Sequence, residues 1–239
     1  MVARPLLTFG PLILVAGSTL LLFFIVLAGV KQSSPLTEFF FLSVDTSSIT
    51  GAPPVSHWTL WNICNGESGS NTACGHVQPA FPFQPQSNFN TMKNIPAEFM
   101  NNSSFYYYTS RVDFAFFLIA VAFSSFSFLT GFLALCSRIG SGLAAILAFC
   151  GLLASIVAAA LMTVVWIRAR DGFNTNNMTA SVGLKMFAFA WTSVACLLLA
   201  TIGFCGSCCI GRGKDSSSSR MRFWRRQKAY NAETVNGSF

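Results

Sequence analysis

Charge is scarce in this sequence. Lys, Arg, Asp and Glu make up only 10% of its 239 residues, and histidine occurs twice. Soluble domains carry roughly 25% charged residues, so one water-soluble core is excluded as the main architecture. The two histidines, His57 and His76, leave few ligands for a metal centre. Acids are the rarest charged class, 8 against 15 bases, for a net charge of +7. The long apolar runs hold no central charge, which argues against a proton pump or an ion channel. There is also no internal repeat, so a solenoid is not expected.

Apolar residues fill the space, at 53% of the chain. Four runs reach the roughly 20 residues needed to cross a bilayer: 6–30, 112–136, 142–167 and 184–210. Backbone groups in hydrocarbon must be paired within a segment, so these runs are expected to be helices. The first resembles a signal peptide, with Arg4 ahead of it. Its apolar stretch exceeds the roughly 7–15 residues of a signal core, however, and it is read as a retained helix.

The intervening segments then assign themselves. Residues 1–5 form a cytoplasmic N-terminus, 31–111 a large extracellular loop domain and 137–141 a cytoplasmic turn. Residues 168–183 form a short, polar second extracellular loop, and 211–239 a cytoplasmic basic tail. This orientation follows from Arg212, Lys214, Arg220, Arg222, Arg225, Arg226 and Lys228 in the tail, with Arg138 and Arg4 on the same side. Lys31, Lys93, Arg111, Arg168, Arg170 and Lys185 lie on the other side and weaken the bias without reversing it. Asn101, Asn102 and Asn177 open N-x-S/T sequons on the extracellular side and are glycosylation candidates.

Within the large loop, "EFFFLSV" (38–44) and "HWTLWNIC" (57–64) alternate as strands. "AFPFQPQSNFN" (80–90) has too many Pro and Asn for a central strand and reads as an ordered irregular loop. Cys64 and Cys74 are the only cysteines of the loop. In an oxidising compartment they are expected to pair. The alternative, a Cys/His zinc site, would have only His57 and His76 to complete it. On a continuous strand Trp58 and Trp61 face opposite sides. One then packs on the disulfide and the other rests at the membrane surface, where Trp is favoured.

These residues also carry a resemblance. "TLWNIC" followed by Cys74 is similar to the W-(G)LW-C-C signature of claudin-like four-helix proteins, with Thr59 in place of the signature Gly. "VDTSSITGAPPVSHWTLWNIC", "PAFPFQP" and "FYYYTSRVDFAFFLIA" resemble the fungal plasma-membrane tetraspan family Sur-seven/PalI. The likeness extends from the first helix through the fourth. It implies residence in eisosome patches of the plasma membrane, with roles in membrane organisation, cell-wall integrity and endocytosis. It carries over Trp58, Trp61, Cys64 and Cys74 as structural elements. It implies no catalytic residue and no cofactor. The expected fold is an all-α membrane protein: a four-transmembrane-helix bundle with a small disulfide-stapled extracellular β domain, claudin-like in plan.

Other features suggest partners. Cys205, Cys208 and Cys209 lie beside basic residues at the end of the fourth helix, as S-palmitoylation sites do, and ordinary membrane cysteines are the alternative. The tail segment Arg220, Arg222, Phe223, Trp224, Arg225, Arg226 and Lys228 combines bases with two aromatics. It suits anionic inner-leaflet lipids, or serves only as a topology signal. Nucleic acid is not an expected partner. Asp113 is expected to pair with neighbouring Arg111. In the third helix Gly140, Ala144, Ala148, Gly151, Ser155 and Ala159 form a small-residue face. Gly151 and Ser155 are its best candidates for close helix packing, within the bundle or between copies. Self-association and contacts with other eisosome proteins are expected. The alternatives are claudin-like adhesion or barrier formation, and lipid handling by an enzyme or transporter.

Overall fold

The structure is a computed structural model and describes residues 3–210, apart from Gln32 and Ser68. Four long helices dominate: α1 (Ala3–Leu27), α4 (Ser103–Cys136), α5 (Arg138–Asn174) and α6 (Leu184–Ile210). Each contains a stretch long and apolar enough to cross a membrane, which makes this a multi-pass membrane protein. Two short helices, α2 (Pro85–Asn88) and α3 (Ala97–Asn101), lie in the segment between α1 and α4.

The helix limits depart from the apolar runs. α4 begins at Ser103 rather than 112, and α5 spans Arg138–Asn174 rather than 142–167. The turn assigned to 137–141 shrinks to Ser137, whose extended backbone (φ −127°, ψ 139°) alone separates the two helices. Hydropathy marks where the lipid ends, whereas a helix continues for as long as tertiary contacts support it. Here the extra turns of α4 and α5 carry Phe99's partners Tyr106 and Phe173, both fully buried.

The helices form a ring in which α1 touches α4 and α6, and α5 touches α4 and α6. Hydroxyls tie three seams. Ser18 donates to Ser193 O (3.1 Å), Ser127 to Ala144 O (3.0 Å) and Ser141 to Phe204 O (3.1 Å). Lipid gives helices little hydrophobic reason to associate, so close packing and such bonds hold the bundle.

A five-stranded antiparallel sheet covers one end. Its strands are β1 (Leu42–Asp45), β2 (Val55–Trp58), β3 (Ile63–Glu67), β4 (Ser70–Cys74) and β5 (Ala180–Val182), in the order β4-β3-β2-β1-β5. "HWTLWNIC" is therefore not one strand. It breaks at Thr59–Asn62 into a hairpin. The second loop, read as merely polar, supplies β5, which pairs with β1 and covers its edge with a strand of only three residues. Cys64 and Cys74 are direct partners across β3 and β4 and form a disulfide. The architecture is consistent with a claudin-like tetraspan.

Candidate functional site

The segment Thr59–Cys64 works as a latch between sheet and bundle. A helix ends with four carbonyls lacking helical partners, and at the edge of a membrane water is not assured to them. At the end of α1, Val26 O accepts a hydrogen bond from Trp61 Nε1 at 2.5 Å. Just beyond, Gly29 O accepts one from Asn62 Nδ2 at 3.0 Å. Trp61 also meets Phe114 of α4 edge-on, with ring centroids 5.2 Å apart. The hairpin turn thus grips α1 and α4 together. Trp61 is half-buried in this grip.

Thr59 explains the departure from the signature Gly. Its hydroxyl accepts from the backbone N–H groups of Trp61 (3.2 Å) and Asn62 (3.1 Å) and lies 2.9 Å from Asn62 Oδ1. The side chain organises the turn, as Ser and Thr hydroxyls commonly do. Its space comes from Gly29. A Cβ there would stand 2.2 Å from Thr59 Oγ1, and Gly29 has φ +93°, a backbone region that favours glycine.

Trp58 serves a separate centre. Its partners in the register are Leu42 and Ile63, whereas Cys64 and Cys74 align with His57 and Ser43. Alternation therefore puts Trp58 on the face opposite the disulfide, so of the two tryptophans it is not the one that packs there. Instead it meets Phe83, Phe89 and Phe173 at centroid distances of 5.4, 5.7 and 5.9 Å. Phe83 is the hub, touching Phe99, Tyr106 and Trp166 as well. The proline-rich loop that looked irregular supplies this hub, a role that its lack of periodicity could not announce. Aromatic pairs contribute about 0.5–1.5 kcal/mol beyond their area, so the cluster fastens the large loop to α4 and α5.

On the disulfide face, His57 is buried. Its ring stacks on Phe40 at 4.0 Å, and Nδ1 lies 2.8 Å from Asn71 Oδ1. Burial lowers its pKa from the ordinary 6.5, and the Asn71 bond opposes this more weakly. The folded state thus favours neutral imidazole. Its contribution is present above the unfolded pKa and is lost as pH falls below about 6.5, toward the depressed folded value. The sheet is expected to resist protease better at about pH 7.5 than at about pH 5. The His57→Gln chain should lose that difference, and an unchanged pH slope in the variant would place the effect elsewhere.

The remaining expected residues fall in several places. Asn101, Asn102 and Asn177 are exposed at the sheet end. Asp113 does not pair with Arg111. It turns inward, 1% exposed, while the Arg111 guanidinium bonds the Tyr107 hydroxyl. Two residues of offset on a helix, about 200°, separate their directions. Gly151 and Ser155 face the chain's own interior rather than another copy. A Cβ on Gly151 would lie 3.3 Å from Ser124 N and 3.4 Å from Phe123 Cβ, and Ser155 is 1% exposed. The double change Gly151→Leu and Ser155→Leu should therefore cause retention in the endoplasmic reticulum. Normal surface delivery, read by surface labelling, would show that α4 and α5 have room to part. Cys205 is exposed. The side chains of Cys208 and Cys209, and the tail residues 220–228, lie outside the described residues.

With this geometry established, known proteins supply the context. The SUR7/PalI family model matches residues 7–203. Protein SUR7 of Candida albicans is 40% identical over 193 residues, covering 80% of this chain and 70% of that protein. The SUR7 family protein FMP45 of Saccharomyces cerevisiae is 37% identical over 188 residues, 78% of this chain and 61% of that one. A further relative in that organism carries the description of an uncharacterized plasma membrane protein. It is 33% identical over 189 residues, 78% of this chain and 63% of its own length. The chain thus spans a little over three fifths of these two Saccharomyces relatives. The latch residues Thr59, Trp61, Asn62 and Cys64, the aromatic hub and the parts of the four long helices between residues 7 and 203 lie inside the matched region, and the chain belongs to the SUR7/PalI family.

Proposed function

We propose that this protein is a non-catalytic structural component of fungal plasma-membrane microdomains of the eisosome type. In this reading both termini are cytoplasmic and the sheet faces outward, where an oxidising environment favours the Cys64–Cys74 bond. Family membership fits a role in membrane organisation. The observation that carries the proposal is mechanical. The sheet is latched to α1 and α4 through Trp61, bonded to α5 and α6 through β5, and packed on α4 and α5 through Phe83. Outer domain and bundle therefore move as one body, which suits a protein that acts by lateral contacts in a membrane. Its partners would be other eisosome proteins, further copies of itself and lipids, the last through the basic tail and through acylation at Cys205, Cys208 or Cys209. Effects on cell-wall integrity and endocytosis would follow from patch organisation.

A fluorescent tag on the C-terminus tests this in intact fungal cells. Static cortical patches are the expected result. Diffuse, mobile signal over the whole surface would overturn it, and enrichment where cells touch would favour adhesion instead. Protease protection of the tag in sealed cells checks the orientation separately.

A further inference from the structure

Three basic residues mark the sheet end of the membrane span, each where an apolar run stops: Lys31 after Val30, Arg111 before Val112, and Lys185 after Leu184. Cross-helix contacts put them near one level. Trp61 touches both Val26 and Phe114, so those residues are level, and Phe24 meets Phe189. Toward the sheet, Lys31 lies five residues beyond Val26, Arg111 three beyond Phe114 and Lys185 four beyond Phe189. Lys31 follows the end of α1, Arg111 lies in α4 and Lys185 in α6, and α1 touches both α4 and α6 in the ring, so the three stand at the same end of three helices. Arg168 stands further out, over the Phe105 ring at 5.2 Å, and is not part of this group.

All three are exposed. Lys185 pairs with Glu38, both more than half exposed. Lys31 and Arg111 have no carboxylate partner among the described residues. The Arg111 guanidinium is held against the Tyr107 hydroxyl and lies 5.0 Å from that ring. Of these three cations, only Lys185 is paired with a carboxylate among the described residues. In the orientation proposed above, bases on this side also oppose the positive-inside bias of a membrane protein.

We propose that Lys31, Arg111 and Lys185 form a collar that collects net-anionic, phosphate-bearing lipid headgroups at the sheet end of α1, α4 and α6. The chemistry is charge complementarity: ammonium and guanidinium groups donate to phosphate oxygens, and anionic headgroups at the surface attract nearby bases. The collar's assignment to the outer leaflet rests on the orientation proposed above. Its existence does not, because the three residues share one end of the bundle in either orientation.

The test uses the full chain in lipid nanodiscs made from phosphatidylcholine and phosphatidylinositol. Lipid retained after detergent exchange is measured by mass spectrometry. The parent protein should be enriched in phosphatidylinositol, and raising the salt should reduce the enrichment. The triple variant Lys31→Gln, Arg111→Gln, Lys185→Gln should lose that enrichment several-fold. The charge-conserving variant Lys31→Arg, Arg111→Lys, Lys185→Arg should keep it, which guards against a folding artefact. A variant with tail residues Arg220, Arg222, Arg225, Arg226 and Lys228 changed to Gln reports the tail's separate share. Equal enrichment in the parent and the collar variant would overturn the proposal, and so would no enrichment in the parent. An inverted protein would keep the charge effect here and fail only the protease-protection assay.

Discussion

Replacing Gly29 with Val is expected to open the latch and keep most of the protein from the cell surface. Two costs combine. A non-glycine residue at φ +93° carries roughly 1–3 kcal/mol of backbone strain. Its Cβ would also stand 2.2 Å from Thr59 Oγ1, which forces the hairpin turn off the end of α1. Overpacking of this kind costs about 1–3 kcal/mol more. Moving the turn would strand Val26 O and Gly29 O, whose partners Trp61 and Asn62 it carries. Thr59→Gly should recover the steric part and leave the backbone part, so the two changes should couple in a double-mutant cycle. Surface delivery and thermal unfolding of purified protein are the measurements. Wild-type unfolding in Gly29→Val would show that the turn does not bear on α1 as described.

Phe83→Ala is the second large effect. Truncating a fully buried Phe costs about 3–5 kcal/mol. Phe83 is 1% exposed and meets Trp58, Phe99, Tyr106, Trp166 and Phe173. Its backbone N–H also bonds Ser110 Oγ at 3.1 Å, which fixes the loop on α4. The large loop should come loose while the four helices persist. Limited proteolysis should then cut between 75 and 100 much faster, with helical circular dichroism nearly unchanged. Phe126→Ala is the control, since Phe126 is 58% exposed on the side of the bundle. If both variants were cut alike, the hub would not be what fastens the loop. Trp58→Ala combined with Phe83→Ala should cost less than the two apart, because the rings share contacts.

The bundle was legible in the sequence because lipid imposes a simple rule. Backbone groups in hydrocarbon must bond within the segment, so apolar length alone announced α1, α4, α5 and α6. The pairing of Cys64 with Cys74 was legible too, since only two cysteines occupy the large loop. What sequence could not settle were interactions between distant segments. Trp61 and Val26 are far apart in the chain, and no local period predicts that an indole N–H caps a helix end. The three-residue strand β5 is too short to show alternation and exists because β1 offers it an unpaired edge. Phe83 sits among prolines with no pattern, and only the convergence of α4, α5 and the sheet makes it a core residue. Asp113 and Gly151 turned on rotation about a helix axis: composition placed them on helices, but neighbouring helices decided which way they face. Apolar length is a property of one segment meeting its solvent. The latch, the hub and the facing of each helix are properties of segments meeting one another, and only the tertiary structure decides those.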